Sequence, residues 1–302
     1  MKKQLKKIIH SLPYIKKLYA FSEQYKKNAC FFPGHYYSTI VNVDEIKQNQ
    51  ERIWRNVHKE GVDGIPLFSS NQIEMGRQFS NFYNEIPFTD ERQSHMRYYF
   101  DNGYYRHTDG IVLYSMLRFT KPKRIIEIGS GFSSAVMLDV NNLFFDNSIA
   151  LTFIEPYPTR LNSLLTEKDL QNITILQSKV QEVDLQLFQT LEAGDILFVD
   201  STHVSKCDSD LNRILFEILP LIKKGVYIHF HDIFYPFEYP KEWVLKGYNW
   251  NENYILRAFL MHNEKYKIIF FSHYMHLCHP NVFKAMPNAY NDFGGSLWLQ
   301  KN

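Results

Sequence analysis

Two short acidic and histidine-bearing segments stand out in this sequence for the chemistry they can do. Asp200 is followed three residues later by His203, and His231 is followed directly by Asp232. A histidine titrates near neutrality and suits proton transfer, and carboxylates beside it can orient it or hold positive charge. A third feature is Ile125-Ile-Glu-Ile-Gly-Ser-Gly-Phe-Ser-Ser134, which carries Glu127 two residues before Gly129 and then Gly131. Glycines so placed permit a tight turn and a close backbone approach to a ligand beside a helix N-terminus. Downstream, Leu151-Thr-Phe-Ile-Glu155 ends on a carboxylate able to accept hydrogen bonds from both hydroxyls of a ribose.

These residues need a frame. From about residue 108 onward, β-branched runs alternate with helical patterns, predicting strands over 124–129, 149–155, 172–177, 195–200, 225–231, 267–272 and 296–300. Leu211, Ile214, Leu215, Ile218 and Leu219 form one apolar stripe of an intervening helix over 206–219, which Pro220 is expected to stop. Alternation of this kind predicts an α/β fold with a doubly wound, mostly parallel seven-stranded sheet. Ligands bind such sheets at the carboxyl ends of the strands, where Glu155, Asp200 and Asp232 fall. The expected division is an N-terminal extension over 1–107 and a ligand-binding domain over 108–302.

The chain has 302 residues, 45% apolar and 22% charged, enough for a sizeable core. Its longest apolar runs are too short to span a bilayer. Three widely spaced cysteines, Cys30, Cys207 and Cys278, imply no disulfide framework and point to the cytoplasm. Residues 1–27 hold eight lysines against one acid, whereas the remainder has 26 basic and 31 acidic residues. The arm, with Leu5, Ile8, Ile9, Leu12, Ile15 and Tyr19 at near-helical spacing, reads either as a solvated surface helix or as an amphipathic segment drawn to an anionic membrane surface. The acidic remainder argues against nucleic-acid binding.

The Glu-Ile-Gly-Ser-Gly turn resembles the first motif of the class I S-adenosylmethionine-dependent methyltransferases, whose Rossmann-like fold places a ribose-binding acid where Glu155 stands. More narrowly, the chain is similar to a bacterial group within them. That group carries Phe-Pro-Gly-His-Tyr-Tyr-Ser (32–38), Gly-Asp-Ile-Leu-Phe-Val-Asp-Ser-Thr-His (194–203), His-Phe-His-Asp-Ile-Phe-Tyr-Pro (229–236) and Gly-Gly-Ser-Leu-Trp-Leu (294–299). The resemblance implies that Glu127, Gly129, Ser130 and Gly131 hold the methionine part of the cofactor and Glu155 the ribose. Ser178-Lys-Val-Gln181 would edge the adenine, with Gln181 or a backbone carbonyl standing in for an acid the segment lacks.

Methyl transfer to oxygen needs a base and is helped by a cation that stabilises the developing alkoxide. Asp200, His203 and the later pair resemble the pattern of metal-dependent sugar O-methyltransferases. That implies His203 as base, Asp200, Asp232 and His231 around Mg²⁺, and a saccharide or glycosylated small molecule as acceptor. The pair is His231-Asp232 where those enzymes have two acids. Alternatives stay open: His231 as a locally bonded strand-end residue, and Asp200 facing the cofactor's sulfonium. The eight aromatics from Phe234 to Tyr254 read either as a stacking wall or as the core of a lid. The Phe32–Ser38 turn reads as a flap or as an anchor of the extension.

His273, His276, Cys278 and His279 are crowded, but strand alternation would scatter them, so no zinc site is expected. Two other classes compete. A nicotinamide-dependent oxidoreductase would need a third glycine where Ser134 stands. A non-catalytic cofactor- or saccharide-binding protein tethered by the lysine arm would have no need of Asp200 and His203.

Overall fold

The structure, a computed structural model, describes residues 12–302. The first eleven residues, with half the lysines of the basic arm, lie outside the described part. The described chain forms two compact units: residues 12–53 together with Lys241–Asn249, and Trp54–Pro240 together with Trp250–Asn302. The boundary expected near residue 108 falls inside the second unit.

In the smaller unit, α1 (Pro13–Asn28) starts on proline, which suits a first turn that needs no N–H donor. It buries none of its residues, and Tyr14, Leu18 and Phe21 are exposed. α2 (Val43–Trp54) follows. Between them His35 stacks on Phe31 at 4.9 Å, and its Nδ1 accepts from the Tyr37 N–H at 3.1 Å.

In the larger unit, α3 (Ser69–Tyr83) and α4 (His107–Thr120) precede a seven-stranded sheet. Its strands are β1 (Arg124–Ile128), β2 (Ala150–Ile154), β3 (Ile173–Leu176), β4 (Ile196–Val199), β5 (Tyr227–Phe230), β6 (Tyr266–Phe271) and β7 (Leu297–Lys301). The order is β3-β2-β1-β4-β5-β7-β6. β7 alone runs antiparallel, between β5 and β6. The expected doubly wound, mostly parallel sheet is present, with every strand within a residue or two of its predicted place.

The parallel strands read as unbroken apolar runs because helices cover both faces: β4 is buried at all four positions and β1 at four of five. α4 and α5 (Phe132–Phe144) pack on each other and are almost wholly buried along 110–117 and 133–141. The helix expected over 206–219 runs from Asp210 to Leu221, through and not before Pro220. Ile214–Ile218 widens into a π turn, with the Leu219 N–H donating to the Ile214 carbonyl. Pro220 has no N–H to donate and its ring crowds the carbonyl four residues back, and the widened turn accommodates both. α6 (Glu252–Leu260) and α7 (Ser272–Cys278) complete the frame.

Candidate active site

The glycine turn leaves β1 at Gly129, whose φ of +81° belongs to the left-handed region. A Cβ there would stand 1.9 Å from the Asp200 carbonyl oxygen at the end of neighbouring β4. The position is closed to any other residue. The side chains around it act as struts. Glu155, at the end of β2, accepts from the Ser130 N–H at 3.1 Å and from the Tyr157 N–H at 2.8 Å. Glu127 lies wholly buried beneath the turn and accepts from the Ser133 and Ser134 hydroxyls. Burial lifts its carboxyl to about 8, against the opposing effect of those hydrogen bonds. Glu127 thus fastens the start of α5 from inside.

A cavity of about 400 Å³ opens beside this turn, lined among others by Gly129, Glu155, Gln181 and Asp200. Four of the seven residues expected to bind the cofactor therefore share one cavity, while Glu127, Ser130 and Gly131 stand behind its wall. Gln181 donates to the Asp208 carbonyl at 2.8 Å and so ties the wall after β3 to the loop after β4.

The β4 and β5 ends bring the remaining residues together. His203 Nε2 lies 3.5 Å from Asp200 and 3.7 Å from Asp232, and His231 Nε2 lies 3.6 Å from Asp232. His203 and Asp232 are themselves left-handed, with φ of +61° and +57°. Such backbone costs on the order of 1–3 kcal/mol per residue and clusters at functional sites. Asp232 is crowded by Gly295, where a Cβ would stand 3.0 Å from the Asp232 Cα; the Gly-Gly segment thus lets the lead into β7 pass.

Two partners had not been foreseen. His203 Nδ1 hydrogen-bonds Glu252 at 2.7 Å, and the Asn251 and Glu252 N–H groups both donate to the His203 carbonyl. Burial alone would push the His203 imidazole down. The Glu252 hydrogen bond and charge, with Asp200 and Asp232 behind them, instead hold it at about 9. Asp109, from α4, accepts from the Gly295 N–H at 3.0 Å and from Ser296 Oγ at 2.5 Å, and against desolvation its charge joins those of Asp232 and Asp200 in raising the His231 pKa. Neither acid carries a local signature: each opens a helix, 49 residues after His203 and 122 before His231 respectively.

Asp200, Asp232 and His231, the expected Mg²⁺ set, converge with His203 at one sheet edge. Asp200 and Asp232 both face His203 Nε2, at 3.5 and 3.7 Å, so the two carboxylates already share the charge of one imidazole. Among the described residues no three His, Cys, Asp or Glu side chains are arranged to hold a metal. The crowded histidines near 276 are likewise engaged singly: His276 faces the Ser272 and Ala289 carbonyls, and His279 faces Tyr274 and Glu60. Of the aromatic run, Phe234, Tyr235, Phe237 and Tyr239 are buried core, whereas Trp250 packs on the His203 ring at 4.3 Å.

Known proteins bear on this geometry. A family model described as a methyltransferase domain matches residues 126–233, from β1 to just past Asp232. An uncharacterized protein of Archaeoglobus fulgidus is 34% identical over 171 residues, covering 55% of this chain and 76% of the relative. Among solved structures, the S-adenosylhomocysteine-bound methyltransferase PaMTH1 of Podospora anserina is 15% identical. It covers 85% of this chain and 96% of its own, at a TM-score of 0.43. The S-adenosylmethionine complex of the O-methyltransferase TomG from Streptomyces achromogenes is also 15% identical, covering 76% and 90% at 0.40. The chain thus carries a methyltransferase domain over the strands and turns that hold Glu127, Gly129, Glu155, Asp200 and Asp232, and it belongs to one family with the Archaeoglobus protein.

Proposed function

We propose that this enzyme methylates a hydroxyl of a saccharide or glycosylated small molecule, with His203 as general base. The observation that carries the reading is the buried Glu252–His203 pair, whose Nε2 edge faces Asp200, at the rim of the cavity, and Asp232. The cavity suits the cofactor: the Gly129 cradle admits no side chain, and Glu155 stands at the end of β2 to take ribose hydroxyls. When bound, S-adenosylmethionine supplies an electrophilic methyl on a sulfonium.

His203 is held protonated in the free protein, because Glu252, Asp200 and Asp232 surround it. A cationic ligand beside Asp200 opposes that, drawing the imidazole pKa back toward neutrality. His203 thereby becomes a competent base only in the loaded site. It accepts the acceptor's hydroxyl proton at Nε2, and Glu252 holds the resulting imidazolium in place. The ring of Trp250 sets an aromatic surface beside the base, of the kind that holds the apolar face of a sugar.

The test is calorimetric titration with S-adenosylmethionine, NADH and NADPH, followed by methyl transfer to a panel of sugars and glycosides. Micromolar binding of S-adenosylmethionine alone is expected, weakened on the order of 100-fold in Glu155→Ala by loss of a carboxylate bonded to ligand and turn. Binding of a nicotinamide, or methylation confined to nitrogen acceptors, would overturn the reading.

A cytoplasmic site of action at the inner membrane surface is a further part of this reading. The three free cysteines accord with a reducing compartment. Lys16, Lys17, Lys26 and Lys27 share α1 with exposed Tyr14 and Phe21. Sedimentation with anionic but not neutral vesicles supports the membrane contact, and equal recovery with both defeats it.

A further inference from the structure

We infer that Arg160 recognises the carboxylate at the amino-acid end of the cofactor. The inference rests on the cavity being the S-adenosylmethionine site. Arg160 follows Glu155 by five residues, in the short helix Thr159–Asn162, and leans back over the glycine turn. Its Cδ lies 3.1 Å, and one terminal guanidinium nitrogen 3.8 Å, from where a Cβ on Gly131 would stand. The guanidinium carbon sits 3.7 Å from the centre of the Tyr104 ring, which is itself stacked on Phe132, the first residue of α5, at 5.9 Å and 13°.

Arg97, Arg118 and Arg213 spend their guanidinium groups on protein partners, as in the Arg97 bridge between Asp139 and Asp169. Among the described residues Arg160 meets the Tyr104 ring and the turn; its charge reaches Asp200, but no hydrogen bond or ion pair joins its guanidinium to a carboxylate or carbonyl. A guanidinium fixed by stacking keeps its in-plane N–H donors for an oxyanion.

Charge decides which anion. Glu155, Asp200, Asp208 and Asp210 line the cavity against Lys179 and Lys206. That wall favours the cationic sulfonium and ammonium of the ligand and disfavours its carboxylate. Arg160 stands just outside the lining, on the Gly131 side, beside the N-terminus of a thirteen-residue helix whose dipole has the same sign preference. A zwitterionic tail running along the turn would thus leave its cationic groups with the acids and set its carboxylate on Arg160.

The test compares S-adenosylhomocysteine with its decarboxylated analogue by calorimetry, with no acceptor present. Wild-type protein should prefer the carboxylate-bearing ligand by about tenfold or more, the usual worth of a charge-assisted hydrogen bond. Arg160→Met should lose that preference by weakening S-adenosylhomocysteine alone, and Arg160→Lys should fall between. The side chain is exposed, so both variants are expected to fold. If Arg160→Met weakens both ligands equally, or keeps the wild-type preference, the assignment is wrong and Arg160 serves an anionic acceptor or the turn itself. If wild-type protein binds neither ligand, the cofactor site fails first and the assignment with it.

Discussion

On the β1–β2 side of the ligand edge, the backbone N–H groups of the turn are each taken, that of Gly129 by the Ile154 carbonyl. Ser130 and Tyr157 donate to Glu155, and Gly131 donates to Ser134 Oγ. On the β4–β5 side, Asp200, Asp232, His203 and His231 face one another at 3.5–3.7 Å, too far for good hydrogen bonds. His231 Nδ1, Tyr105 Oη and Glu252 Oε1 are buried there without partners, against Ser130 Oγ alone in the turn. Buried polar atoms are nearly always satisfied. The contrast teaches a division of labour: one side is a rigid cradle, and the other holds charge in a strained arrangement whose protonation a ligand can change.

The largest effect expected from breaking that division is on the charged side. His203→Ala should lower turnover by about 10²–10⁴-fold, the usual worth of a general base, while leaving S-adenosylmethionine affinity within about threefold. Rates and calorimetry on the same preparation check it, and full activity on an identified acceptor would remove His203 from the chemistry. Gly129→Ala should act on the cradle instead, through a left-handed φ and a clash with the Asp200 carbonyl. We expect a loss of about 3–5 kcal/mol, read from the urea midpoint. An unchanged midpoint would mean that the turn is less tightly built than the geometry requires.

Glu252→Gln sharpens the comparison, because it keeps shape and removes charge. With the His203 pKa raised to about 9, kcat/KM for the cofactor should rise with pH through that value. The variant should move this limb to lower pH by about one unit. The raised pKa also contributes stability that is full below about 6.5 and lost as pH rises through about 9, so the variant's stability should decline less over that window. The smallest effect concerns metal. Because the His203 imidazole already faces both Asp200 and Asp232, chelation should change the rate by less than about twofold. A larger loss, restored by Mg²⁺, would return the two carboxylates to a metal.

Much of this was legible residue by residue. Gly129 was legible because a turn between a strand and a helix imposes a backbone demand that one residue type meets. Glu155, Asp200 and Asp232 were legible as strand ends because apolar runs locate the strands. Glu252 was not, since an acid at the first turn of a helix is ordinary and its partner lies 49 residues away. The His203 contacts were hidden for a related reason: spacing brought Asp200 and Asp232 to one edge but said nothing of the imidazole that both carboxylates face.

By itself, then, the sequence determined the strand positions, the glycine turn and the edge at which ligands bind, since hydrophobic periodicity and backbone strain are local properties. Only the tertiary structure decided which charges meet. Glu252 reaches His203, Asp109 lies near His231, and Arg160 is left without an ion-pair partner in contact, and each outcome depends on packing between distant segments. The protonation state of His203 follows from that convergence, because a buried pKa is set by the charges around it and not by the residue alone.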